Sequence, residues 1–190
     1  PNFKSVMVLL LFTAGLFSSC TKKEEVPDSV SEVNFSTLTG AEQIFDSKYL
    51  ENGNCIVVGH SNGDGFMMMY DSEGKVLWNK YVGGVEDENF YKVIITSDNH
   101  LLVAGTTKSE LEGASYAGVR TGFVLKLSMD GAIVWKKSFG GESDVVFYGL
   151  AEGPDGNYIA TGNQSVKAIE TLVVKFSKDG AVLWDKIYSI

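Results

Sequence analysis

Cysteine, histidine and proline are scarce in this chain: 190 residues contain two, two and three of them. His60, His100 and Cys55, unrelated in position, assemble neither a zinc cluster nor a Cys-His dyad; the other cysteine, Cys20, belongs to the N-terminal segment read below. Basic residues are also short, with 16 Lys and Arg against 24 Asp and Glu. An acidic chain without a basic stripe repels phosphate backbones, which excludes nucleic acid as an expected partner. No Walker A motif, dinucleotide fingerprint or EF-hand loop is present. Long apolar runs are missing except for one of about a dozen residues, Val6–Phe17, well short of the roughly 20 a spanning helix needs.

That run carries an address. Lys4 precedes it, the small residues Ser18 and Ser19 follow it, and Cys20 comes next. A basic start, a short apolar core and small residues before a cleavage point read as a secretory signal over residues 1–19. With Cys20 directly after Ser18-Ser19, the segment resembles the lipobox of bacterial lipoproteins, although Phe17 stands where that family usually has Leu. The resemblance implies that Cys20 is acylated and becomes the mature N-terminus, a stable anchor at about 0.8 kcal/mol per buried CH₂. TKKEE (Thr21–Glu25) resembles the signal that sends some Gram-negative lipoproteins outward, so the expected location is the outer membrane or cell surface. Cys55 then stands alone, no disulfide forms, and the mature chain has 15 basic and 24 acidic residues, a net charge of −9. Residues 20–40 lack periodicity over most of their length and read as anchor and tether.

The remainder repeats itself. YDSEGKVLWNK (Tyr70–Lys80), LSMDGAIVWKK (Leu127–Lys137) and FSKDGAVLWDK (Phe176–Lys186) align on Trp78, Trp135 and Trp184, each four residues after a turn glycine, Gly74, Gly131 or Gly180. The first two copies are 57 residues apart and the last two 49. Gly83–Gly105 lies over Gly140–Gly162 without a gap, matching Phe90-Tyr91 to Phe147-Tyr148. Within the second copy, runs rich in Val, Ile, Phe and Tyr (Tyr91–Thr96, Leu101–Gly105, Gly122–Ser128, Ala132–Phe139) are bounded by Gly, Asn and Asp, as strands and turns require.

Four antiparallel strands per repeat at this spacing predict an all-β fold of β-propeller blades, over about 41–84, 85–141 and 142–190. A strand solenoid usually repeats at shorter intervals. The repeat sequence is similar to the SBBP-type β-propeller repeats of secreted and lipid-anchored bacterial proteins. That family implies a fold and an extracytoplasmic setting, not one activity. The Ser-x-Asp-Gly-x-x-x-Trp pattern at Ser177 and Ser128 is similar to the Asp-box of sialidase-like propellers, with Gly directly after Asp rather than two residues on. That motif is structural, so Gly74, Trp78, Gly131, Trp135, Gly180 and Trp184 are expected to build blade corners. Three blades are fewer than the four to eight of a closed ring. Either further blades or a homo-oligomer would complete it.

Candidate chemistry lies elsewhere. Connections in a meander alternate between two rims, so the Asp-Gly and Asp-Asn turns share one rim and the longer loops share the other. That second rim is expected to carry Glu86, Asp87, Glu88, Glu142 and Asp144, with Tyr116 and Arg120 on the long connection Thr106–Thr121. Paired oxygens suit Ca²⁺, the one cofactor this rim suggests; no other is expected. Cys55, the Met67–Met69 run and His100 read as core, core and turn residues. No catalytic set can be assembled, which favours a non-enzymatic module that binds a protein or glycan partner. The alternative is a glycoside-processing propeller enzyme whose carboxylates converge across blades not present in this chain.

Overall fold

The computed structural model describes residues 42–82, 86–109 and 120–189. The signal segment, Cys20, the tether and Tyr116 lie outside the described residues. Every regular element is a strand: β1 (Glu42–Tyr49), β2 (Cys55–Ser61), β3 (Asp64–Tyr70), β4 (Val76–Val82), β5 (Glu88–Ile95), β6 (Leu101–Thr107), β7 (Thr121–Leu127), β8 (Ile133–Phe139), β9 (Asp144–Glu152), β10 (Tyr158–Ser165), β11 (Ile169–Phe176) and β12 (Val182–Tyr188). They form three four-stranded antiparallel sheets, β1-β2-β3-β4, β5-β6-β7-β8 and β9-β10-β11-β12. The chain is therefore all-β and built of blade-like repeats, and the described sheets do not close into a ring. No helix among the described residues is long and apolar enough to cross a membrane.

The repeated hairpin of the sequence is the outer corner of each sheet. The N–H groups of Asp71, Ser128 and Ser177 bond the carbonyls of Lys75, Ala132 and Ala181 at 2.9, 2.9 and 2.8 Å. Gly74, Gly131 and Gly180 sit inside these turns at φ of 81°, 85° and 83°, where a residue with a Cβ loses about 1–2 kcal/mol. Side chains finish the corner: Asp71 Oδ1 accepts from Lys75 N at 2.8 Å, and Ser177 Oγ from Ala181 N at 3.1 Å.

The sheets stack face to face, so the middle one is buried on both sides. Phe123, Leu125 and Leu127 of β7 share a cluster with Ile56, Val58, Met67 and Met69 of the first sheet. Leu102, Ala104 and Val124 meet Tyr158, Leu172, Val174 and Phe176 of the third. Each such side chain contributes about 1.5–3 kcal/mol when removed from water. The Met67–Met69 run is buried throughout, as its reading as core expects. Cys55 packs at the edge of a further cluster, and burial pushes its thiol up, away from reactivity.

Tryptophan joins the corners. Trp78 Nε1 donates to the Met129 carbonyl at 2.9 Å, and Trp135 Nε1 to the Lys178 carbonyl at 3.0 Å. Each indole thus docks on the outer turn of the following sheet, with Trp135 so close to Gly180 that an added Cβ would meet the ring at 2.8 Å. Trp184, the third copy, is 39% exposed, and its indole N–H has no partner among the described residues.

Lys126 departs from the pattern a surface strand would show. It alternates with apolar Phe123, Leu125 and Leu127, yet only 3% of it is exposed, because the third sheet covers it. Its ammonium reaches Asp98 Oδ2 at 2.6 Å and the Tyr158 hydroxyl at 2.9 Å. Burial pushes the Asp98 carboxyl up, but hydrogen bonds from Lys126 and Thr96 outweigh it and bring the pKa down from 3.8 to about 2. A carboxyl depressed on folding stabilises above its unfolded pKa and loses that contribution as pH falls through the folded one. Asp98→Asn should therefore lower the urea midpoint at pH 5, and the gap to wild type should close between about pH 4 and pH 2. A gap that stays constant over that range would remove Asp98 from the acid response.

Candidate functional site

The inner strands β1, β5 and β9 pack side by side across the three sheets; the β4–β5 and β8–β9 connections end at the N-terminal ends of β5 and β9, and Thr107, where the β6–β7 connection begins, pairs with Glu88 at the start of β5. The candidate rim residues collect here, mostly in partnership. Asp87 pairs with Lys108 at 2.6 Å, and this lysine holds the Asp87 carboxyl below its usual range. Glu88 is fully buried: Thr107 Oγ1 donates to it at 2.6 Å, its N–H bonds Gly63 O at 2.7 Å, and its carbonyl meets His60 Nδ1 at 3.0 Å. Arg120 grips Asp144 with Nε at 2.8 Å and Nη2 at 2.7 Å, and the carboxylate raises the guanidinium pKa. Glu86 and Glu142 are exposed, with Glu86 anchored through its backbone N–H to Ser109 Oγ at 3.1 Å.

Asp87, Glu88 and Asp144 are thus held in pairs, while Glu86 and Glu142 keep exposed carboxylates. The same contacts fix one sheet to the next, because the Val145 N–H bonds Arg120 O at 2.8 Å just as Glu88 bonds Gly63. Among the described residues no three His, Cys, Asp or Glu side chains converge as a metal site would require.

A second arrangement lies on the inner strands. Each has a β-bulge where one residue drops out of the ladder: between Ile44 and Asp46, between Phe90 and Lys92, and opposite Thr161-Gly162, where Tyr148 is passed over. The passed-over residues are Phe45, Tyr91 and Tyr148. Their rings meet in sequence, Phe45 to Tyr91 at 5.0 Å and Tyr91 to Tyr148 at 5.1 Å between centroids, each pair tilted by 46°. Phe45 is 39% and Tyr148 48% exposed. Below the rings, Asp46 ties β1 to β5, accepting from Lys92 Nζ at 3.0 Å and Val93 N at 3.1 Å. Burial and the neighbouring Tyr148 raise the Tyr91 pKa, and Arg120 and Lys108 act on it in the opposite sense. Asp87 and Asp144, one member of each ion pair, each stand four residues before a ring of the arc, Tyr91 and Tyr148, on the rim side of the same inner strands.

The bulge needs a glycine on the neighbouring strand. Gly59, Gly105 and Gly162 stand opposite Ile44, Phe90 and Phe147, and a Cβ at any of them would drive into the carbonyl oxygen of Gln43, Asn89 or Val146. Each glycine follows its aromatic residue by 14 positions. This aromatic-to-glycine spacing is the sequence signal that marks the arc. Alternation alone misses it, because the bulge resets which side chains share a face. For the same reason β5 begins at Glu88, earlier than the alternation from Tyr91 predicts.

A cavity of about 630 Å³ opens on the opposite rim, among Leu50, Asn52, Ile95, Thr96, Met129 and Glu152. The Glu152 carboxylate there already accepts from Ser97 N and Ser97 Oγ, both at 2.7 Å.

No protein-family model matches this sequence, and no curated protein is significantly similar to it. Solved structures do resemble the fold. A protein of unknown function from Bacteroides caccae superposes with a TM-score of 0.52 at 16% identity, over 79% of this chain and 47% of that one. A crystal structure of the eukaryotic initiation factor gives 0.50 at 9% identity, over 77% of this chain and 32% of that one. This chain spans less than half the length of either, and at such identities the likeness concerns the fold alone.

Proposed function

We propose that this chain is a lipid-anchored, extracytoplasmic β-propeller repeat protein that acts as a non-enzymatic binding module for a protein or glycan partner. The observation that carries the binding role is the aromatic arc of Phe45, Tyr91 and Tyr148. It presents two exposed rings, Phe45 and Tyr148, joined through the half-buried Tyr91, on inner strands whose N-terminal ends carry the paired charges of the long-loop rim. The rim carboxylates Asp87 and Asp144 are bound to Lys108 and Arg120, a state suited to recognition rather than to proton transfer. The anchoring role is supported by the signal-like segment ending at Cys20.

Two measurements test the reading. Metabolic labelling with an alkynyl fatty acid should mark the wild-type chain and not Cys20→Ala, with the variant lost from the membrane fraction. The purified chain, screened against glycan arrays and cell-envelope extracts, should retain a ligand without altering it. Hydrolysis of a bound glycan would overturn the non-enzymatic reading in favour of a glycoside-processing enzyme.

A further inference from the structure

We infer that the Phe45–Tyr91–Tyr148 arc is a stacking platform for a neutral saccharide chain, whose hydroxyl groups are met by the Arg120–Asp144 and Lys108–Asp87 pairs. This rests on the binding role proposed above and names its ligand class.

Three features converge on it. First, the rings are placed by backbone design. A bulge takes the same position of three successive inner strands out of the ladder, and each bulge is secured by a glycine at the same spacing. An ordinary core aromatic requires no such device. Phe90, Phe123 and Phe147, which do serve the core, are at most 1% exposed, whereas Phe45 and Tyr148 turn much of their surface to solvent.

Second, the rings form a continuous surface. Centroids about 5 Å apart with planes tilted by 46° are neither stacked nor edge-on. They make a faceted strip, along which the C–H faces of successive pyranose rings can lie. Such contacts need polarised C–H groups on one side and an accessible π face on the other, and a sugar ring supplies the former.

Third, the two cations at the rim end of the strip are already matched, although Glu86 and Glu142 remain exposed on the same rim. Lys108 is neutralised by Asp87 at 2.6 Å and Arg120 by Asp144 at 2.7 Å. An acidic ligand reaching for Arg120 would meet the Asp144 carboxylate, and a basic one reaching for Asp144 would meet the guanidinium. A neutral polyol meets no such conflict, because each hydroxyl both donates and accepts. It can donate to a carboxylate and accept from a cation without breaking either pair. Charge matching of this kind selects against charged ligands by leaving them an unmet repulsion.

The test uses the intact chain, titrated by calorimetry with neutral hexasaccharides (gluco-, xylo- and manno-configured, α- and β-linked), a uronic-acid hexamer and a cell-envelope protein extract. One neutral hexasaccharide should bind, with affinity reduced at least about tenfold by Tyr148→Leu or Phe45→Leu and changed less than about threefold by Tyr148→Phe, which keeps the ring. The leucine variants keep apolar volume at exposed positions, and circular dichroism confirms that they fold. Binding of the uronic-acid hexamer alone, binding of a protein alone, or saccharide binding indifferent to both leucine variants would overturn the inference while leaving the binding role intact. A screen in which nothing binds would overturn both.

Discussion

Gly105→Ala should destabilise the protein by about 3 kcal/mol, near the upper end of what overpacking costs, read as a lowered urea midpoint. The added Cβ would occupy the space of the Asn89 carbonyl oxygen, which is backbone and cannot swing aside. Nor can the strand withdraw, since Asn89 is paired with Thr106 and the adjoining Glu88 is bonded both to Thr107 and to Gly63 of the preceding sheet. Gly156→Ala is the natural comparison. Its φ of 70° is left-handed, unlike that of Gly105, but nothing lies within 4 Å of the added carbon, so only the backbone cost of about 1–2 kcal/mol applies. A loss at Gly105 no larger than that at Gly156 would show that the strand pair yields to the added carbon and that the close approach does not enforce the glycine. Because the same contact recurs at Gly59 and Gly162, alanine there should cost a similar amount.

The second large effect is positional. Trp78, Trp135 and Trp184 are equivalent in sequence and unequal in surroundings. Trp135→Ala removes an indole packed against Gly180, Tyr158 and Phe176 and leaves the Lys178 carbonyl only the longer bond from Lys126 Nζ, at 3.5 Å. For a half-buried tryptophan with one hydrogen bond, a loss of about 2–3 kcal/mol is expected. Trp78→Ala should lie in the same range, since it loses the bond to Met129. Trp184→Ala, at a residue already 39% exposed, should cost less than about 1 kcal/mol. Chemical denaturation followed by circular dichroism ranks the three. If Trp184→Ala matched Trp135→Ala, the value of the residue would reside within its own hairpin rather than in the corner of the next sheet.

Much of the architecture was legible because it is written in punctuation. The turn glycines and their acidic neighbours recur in register with tryptophan, and a hairpin whose φ values demand glycine cannot hide from a sequence comparison. The assignment of corners and of core rows such as Phe123, Leu125 and Leu127 follows from that register and the two-residue period. Lys126 was legible only as a polar residue on the opposite face. Its burial depends on the third sheet lying over it, a tertiary fact that no local pattern encodes. The rim acids were legible as acids but not as partners. Lys108 stands 21 residues from Asp87 and Arg120 stands 24 from Asp144, and nothing short-range ties them together. The arc was hardest to see. Phe90-Tyr91 over Phe147-Tyr148 served to align the repeats, and a strict alternation gave no reason for two adjacent aromatics to point to different places. The bulge supplies that reason.

The corner contact has a bearing on how such a chain can grow. Each repeat carries an indole donor and, in its own outer turn, the carbonyl that the preceding repeat's indole requires. Each therefore holds both plug and socket. A tandem duplication of the coding segment would deliver a new unit already fitted to its neighbours on either side, with no compensating change elsewhere. Repeat number can then drift while every interface keeps the same chemistry, and the aromatic arc lengthens by one ring with each unit added.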